Sequence, residues 1–147
     1  MAERTNLGPA DLGIDPARSP EQRYRWFLAS VLFGRRIRQE QAAHTYRVLI
    51  EHGLTSPERF ADVSRDDLRV LLDDGGYDRF DWLMTDELHE VMAGVVRDWG
   101  SVNRLVTTAA DRQEAHDRLV AFKGVGDVTV RIFLDGVPQD LFGTAPR

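Results

Sequence analysis

Apolar residues recur at spacings of three and four along most of the chain, while strand-like alternation is almost absent. The clearest stripe is Leu88, Val91, Met92, Val95, Val96 and Trp99, which predicts one helix capped by Thr85 and ended at Gly100. Upstream, Ser19-Pro20-Glu21-Gln22 supplies a cap, a first-turn proline and an acid ahead of Trp26, Phe27, Val31 and Leu32, and Gly34 closes that helix. A second helix is predicted over 39–52, with Ala42, Tyr46 and Leu49 inward and Gly53 as terminator. Short helices fit 57–60 and 65–72, the latter capped by Ser64, and Asp73-Asp74-Gly75-Gly76 reads as a turn. A further segment over 102–107 precedes two arms. Ala115, Leu119 and Phe122 mark the first; Val128 and Ile132 repeat the offset in the second, with Phe133 broadening the stripe. The fold class is therefore all-α, a bundle of about seven or eight helices. Residues 1–19, rich in Gly, Pro, Asp and Ser, form a flexible leader or loosely docked arm; 20–137 form the helical domain, with a hairpin at 115–134; 138–147 form a tail.

Composition narrows the class. With 147 residues, 42% of them hydrophobic and 29% charged, the chain can bury one core. No apolar run approaches the roughly 20 residues that span a bilayer, and the N-terminus lacks the apolar core of a secretory signal. The expectation is a soluble, cytoplasmic protein without a membrane partner. The absence of cysteine excludes disulfides, thiolate zinc sites and iron–sulfur clusters, and no cofactor is expected.

The formal net charge of −5 gives no global attraction to nucleic acid, but the charge is unevenly spread. Residues 18–47 hold seven arginines against Glu21 and Glu40, a local charge of +5. Residues 54–90 hold four arginines against eleven acids, a local charge of −7. This pattern predicts one face suited to DNA and an acidic face at 54–90 that repels it or meets a protein partner.

The most informative motif is Lys123-Gly124-Val125-Gly126-Asp127-Val128-Thr129, set between the two arms. Two glycines around one apolar residue permit a sharp turn, with Val125 pointing back between the helices. The amides exposed ahead of the next helix suit a phosphate oxygen better than a base edge. Farther upstream, Trp26-Phe27-Leu28-Ala29-Ser30-Val31-Leu32-Phe33-Gly34-Arg35-Arg36-Ile37-Arg38 ends an apolar helix in a basic loop.

These features, with Gly53-Leu54-Thr55-Ser56-Pro57-Glu58, Val63-Ser64-Arg65-Asp66-Asp67-Leu68 and Gly75-Gly76-Tyr77, resemble the HhH-GPD base-excision glycosylases of the endonuclease III group over about residues 22–135. The resemblance implies the six-helix half of that fold and a helix-hairpin-helix binding double-stranded, and in particular damaged, DNA. On this reading Lys123, Gly124, Val125, Gly126 and Arg131 contact the backbone. The loop after the first helix carries, in that group, the side chain inserted where a base flips out; Arg36 is the nearest positional match, with Arg35 and Arg38 available for phosphates. The competing reading makes these arginines a solvated helix junction paired to the acidic segment.

The resemblance weakens at the chemistry. Where bifunctional members carry the Schiff-base lysine, this chain has Val128, and its single lysine, Lys123, precedes the glycines. The family's catalytic aspartate would fall at or beyond Arg147; Asp135 and Asp140 come too early and read as helix-end or loop residues. No catalytic residue is assigned. Asp86, His89 and Glu90 form the one local acid–imidazole cluster, read as a solvated helix face, and no metal site is expected. Trp26, Trp82 and Trp99 read as core. Three readings remain: a DNA-binding protein of the base-excision type, as a monofunctional or degenerate glycosylase without lyase activity; a non-catalytic DNA-binding or protein-interaction module; or an all-α domain whose Gly-Val-Gly is only an interhelical turn.

Overall fold

Helix α1 (Pro20–Phe33) lies at the centre of the molecule. Its residues from Arg23 to Phe33 are buried apart from Arg25, which suits a helix apolar on nearly every side and enclosed by its neighbours. Ser19 Oγ caps its start by accepting the Gln22 N–H at 3.3 Å. The computed structural model describes residues 7–35, 37–75 and 81–146. Arg36 and residues 76–80, where Gly76 of the expected turn falls, lie outside the described residues.

Around α1 pack α2 (Gln39–Glu51), α5 (Val102–Thr107) and α7 (Asp127–Asp135), while α3 (Arg65–Asp74), α4 (Asp81–Trp99) and α6 (Arg112–Val120) complete the bundle. Three short 3-10 turns accompany these seven helices, and the described residues include no strand. The molecule is all-α, as the apolar period predicts. Among the described residues no helix is long and apolar enough to cross a membrane.

Contacts distant in sequence tie the two ends of the domain together. Trp26 Nε1–H donates to Phe133 O at 3.1 Å, and the Phe27 and Phe133 rings meet edge to face with centroids 5.5 Å apart. Full burial of each such aromatic contributes roughly 1.5–3 kcal/mol. These contacts seat α7 against α1 and place the end of α1 beside the start of α7.

Several expectations change. The longest helix starts at Asp81, and Thr85 is fully buried inside it instead of capping it. Met84 and Leu88 are buried one turn apart, so packing against α3 and the turn at Pro57–Asp62 sustains the helix before Thr85. Asp73 and Asp74 belong to α3, not to a turn, because Leu72 is buried and Thr45 Oγ1 donates to Gly75 O at 2.9 Å, anchoring the last turn. In α7 the buried face is Thr129, Val130, Phe133 and Leu134, whereas Val128 is 52% exposed and Ile132 only half-buried. The buried stripe thus sits one position later than the spacing predicts. Packing on α1 selects the face that carries Phe133. Trp82 is not core: it is 41% exposed, with the Arg65 and Arg69 guanidinium carbons 4.2 and 4.9 Å from its ring centroid.

The arm before Ser19 is docked where it is described. Ile14 is buried, and the Asp15 N–H reaches Gln22 Oε1 at 2.8 Å. Beyond α7, Val137 is buried, and Ala145 N–H returns to Thr107 O at 3.1 Å.

Candidate nucleic-acid interface

The α6–α7 hairpin is assembled by local rules. Asp111 caps α6 by accepting the Glu114 N–H at 2.9 Å. After α6 the chain drops Phe122 into the core against Gly94, where an added Cβ would sit 2.8 Å from the ring. Gly124 then adopts φ +87°, a left-handed geometry that L side chains disfavour, and Val125 turns inward and is buried, its N–H donating to Phe122 O at 3.1 Å. Gly126 differs from Gly124. Its φ is −105°, and a Cβ there would meet nothing within 4 Å. Glycine at 126 is thus not required by the backbone, contrary to the expectation that treats both glycines alike; it leaves the start of α7 open, with no side-chain cap.

Close packing of α1 and α7 joins two clusters that are distant in sequence. Gly34 rests so closely on Thr129 that any Cβ would collide with that side chain. This approach carries Arg35 to the hairpin. Gly34, Arg35 and residues 124–129 line one open groove of about 440 Å³. Arg38 is exposed at the N-cap of α2, and Arg131 is exposed on α7. Lys123 is exposed on the other side of the loop, in a separate cleft of about 330 Å³ that it shares with Arg97, Arg118 and Trp99. The hairpin therefore separates Lys123 from Arg35 instead of gathering both into one basic strip.

Acidic groups also reach the groove. The Arg35 guanidinium is ion-paired with Glu87, and the side chains are only 27% and 14% exposed. A Cβ at Gly124 would lie 2.9 Å from Glu87 Cδ, so the carboxylate rests directly against the turn. One member of the acidic segment 54–90 thus docks into the region expected to be basic. On α7, Asp127 is exposed in the first helical turn, where a negative charge is favoured by the helix dipole. His116 Nε2 lies 3.0 Å from Asp127 Oδ1, and its Nδ1 lies 3.3 Å from Asp117 Oδ1. Only an imidazolium donates through both nitrogens. The hydrogen bond to Asp127, followed by that to Asp117, raises the pKa of His116 above its ordinary value.

Nothing in the spacing of residues points to Glu87, which comes from a helix distant from both clusters. His116 and Asp127 carried a weak signal: they lie eleven residues apart, on opposite arms of a tight hairpin.

The remaining candidates have defined surroundings. Val128 lines the groove with an aliphatic side chain. Asp135 ends α7 and pairs with Arg112 at 2.8 Å, and Asp140 lies exposed in the turn Gln139–Leu141. Asp86 pairs with Arg65 at 2.7 Å, and His89 Nε2–H donates to Val63 O at 3.0 Å. Among the described residues no three His, Asp or Glu side chains converge as a metal set would. Arg118 is consumed by structure: it donates to Leu105 O at 2.9 Å and Thr108 Oγ1 at 2.8 Å, and lies 4.0 Å over the Trp99 ring.

No protein-family model matches the chain, and comparison with curated proteins and with solved structures gives no match.

Proposed function

We propose that this protein binds the backbone of double-stranded DNA through the α6–α7 hairpin. The observation that carries the reading is the single groove joining Arg35 to the left-handed Gly124 turn and the uncapped start of α7. A phosphate approaching there meets backbone donors where Gly126 presents no Cβ, with a guanidinium at the opposite wall. Arg38 and Arg131, both exposed, supply further cations for the strand, and Lys123, across the loop in a separate cleft, offers one to a phosphate beyond the turn. Such groups position a duplex without reading its sequence. An HhH-GPD-type role in base-excision repair is the biological setting that the sequence resemblance supplies. Within it the protein acts as a binder or monofunctional glycosylase, since Val128 supplies no amine for lyase chemistry.

The test is anisotropy of a labelled duplex across salt concentrations. Replacing Lys123 and Arg131 together by serine is expected to flatten the slope of log affinity against log salt by about 1.8, roughly 0.9 for each phosphate that is no longer neutralised. An unchanged slope assigns both residues to solvent.

A second reading has its own observation. Val70, Trp82 and Leu83 are exposed apolar residues on α3 and α4, within the acidic segment, and an exposed tryptophan beside arginine is a common anchor of protein interfaces. In that reading the acidic face meets a protein partner, and truncating Trp82 and Leu83 impairs the association while DNA affinity is unchanged.

A further inference from the structure

We propose that Glu87 is a built-in competitor for the anion site at the hairpin, so that DNA must displace it from Arg35 to engage the groove. This inference rests on the backbone-binding reading and adds a control to it. Three observations converge. Glu87 comes from the middle of α4, yet its carboxylate sits against Gly124, the one residue of the hairpin loop with a positive φ. The same carboxylate is ion-paired with Arg35, the arginine that lines the groove. Both side chains are largely shielded, and a charge pair that is partly removed from water is held more firmly than an exposed one.

A carboxylate and a phosphate oxygen make the same demands on a guanidinium and on turn amides. Glu87 therefore presents to Arg35 the chemistry that an incoming phosphate would present. Binding becomes an exchange: the Arg35–Glu87 pair opens, the guanidinium turns to the phosphate, and the carboxylate moves to solvent. No covalent bond is made or broken. While the pair is closed, Arg35 offers the strand no free cation and Glu87 adds a repelling charge. Lys123 stands across the loop in a separate cleft, so it does not replace Arg35 at this wall.

The exchange has a quantitative signature. Glu87→Gln keeps the size of the side chain and removes its charge, so no ion pair has to open before Arg35 meets the phosphate. The same phosphate is neutralised in both proteins, so the salt slope stays the same while affinity rises by about fivefold, the upper end of what such a pair costs to open. The experiment measures binding of a labelled, undamaged 20-base-pair duplex to the parent, Glu87→Gln, Arg35→Gln/Glu87→Gln and Gly126→Val, whose added side chain meets no part of Glu87, with a melting curve for each; Glu87→Ala repeats the comparison if the amide impairs folding. Tighter binding by Glu87→Gln at an unchanged salt slope, with the gain lost in the double variant, supports the exchange; a steeper slope overturns it, because Arg35 then meets a phosphate only in the variant. A gain that persists in the double variant overturns it, because Glu87 then acts by general repulsion. Equal binding by the parent and Glu87→Gln, with Gly126→Val still weakened, overturns the competitor role and leaves the hairpin reading standing. No binding by either the parent or Glu87→Gln at 50 mM salt overturns both.

Discussion

The two hairpin glycines should respond differently to the same small change, and the difference can be worked from the structure. Gly124 stands at φ +87°, where an L residue costs about 1–2 kcal/mol. Its new Cβ would also lie 2.9 Å from Glu87 Cδ and 3.0 Å from Glu87 Oε2. That carboxylate must shift, which disrupts the partly shielded pair with Arg35 and adds about 1 kcal/mol. Gly124→Ala is therefore expected to lose about 2–3 kcal/mol, lowering the melting temperature by about 5–10 °C in a chain of this size. Gly126, at φ −105° with open space around it, should tolerate alanine within about 0.5 kcal/mol: the weaker N-cap is offset by the smaller entropy of the unfolded chain. Helical circular dichroism during urea and thermal unfolding measures both. In a Glu87→Ala background the cost of Gly124→Ala should fall to the dihedral part, about 1–2 kcal/mol. The reasoning is refuted if Gly126→Ala costs as much as Gly124→Ala, or if removing Glu87 leaves the difference unchanged.

Other consequences can be read independently. Arg118→Met should destabilise by about 1–3 kcal/mol, because it strands the carbonyl of Leu105 and removes a donor from Thr108 Oγ1, and Trp99 emission should change once its guanidinium cover is gone; unchanged unfolding would deny Arg118 its structural role. His116 should titrate above its ordinary value in an NMR pH series and fall back towards it in Asp127→Asn. Because its folded pKa is raised, its stabilising contribution is complete below the unfolded value near 6.5 and is lost as pH rises through the folded value; an opposite drift would remove the carboxylate bridge from the account. Borohydride should trap no covalent adduct on abasic DNA, since Val128 offers no amine to the groove; an adduct abolished by Lys123→Gln would make that lysine a displaced nucleophile.

Local chemistry was the legible part of the fold. Ser19, Ser64, Gly34 and Gly53 mark helix ends through hydrogen bonds and dihedrals that depend on a few neighbours, and each stands where its residue type implied. Register was less legible. Val128 and Ile132 fit a helical stripe as well as Val130, Phe133 and Leu134 do; only the approach of α1, through Phe27 and Trp26, decides which face is buried. Thr85 shows the same limit, since a capping residue type was overruled by packing on both sides of it.

The candidate site divides along that line. The turn at Gly124 and the inward Val125 follow from local residue types. Arg35 could be named from its basic cluster, but its position at the hairpin depends on how closely Gly34 and Thr129 meet. Glu87 carried no signal in sequence, because an acid in the middle of an amphipathic helix reads as solvated surface until the tertiary fold turns it towards Gly124.

Backbone amides at the hairpin are the proposed phosphate contacts, and amide chemical shifts during titration with a short undamaged duplex report on them most directly. The expected result is that the largest shifts at low salt fall on Gly124, Gly126, Asp127 and Val128, accompanied by Arg35, and that they fade as salt is raised. Shifts centred instead on Val70, Trp82 and Leu83, or an unchanged spectrum at 50 mM salt, would contradict the assignment of the hairpin as a DNA contact.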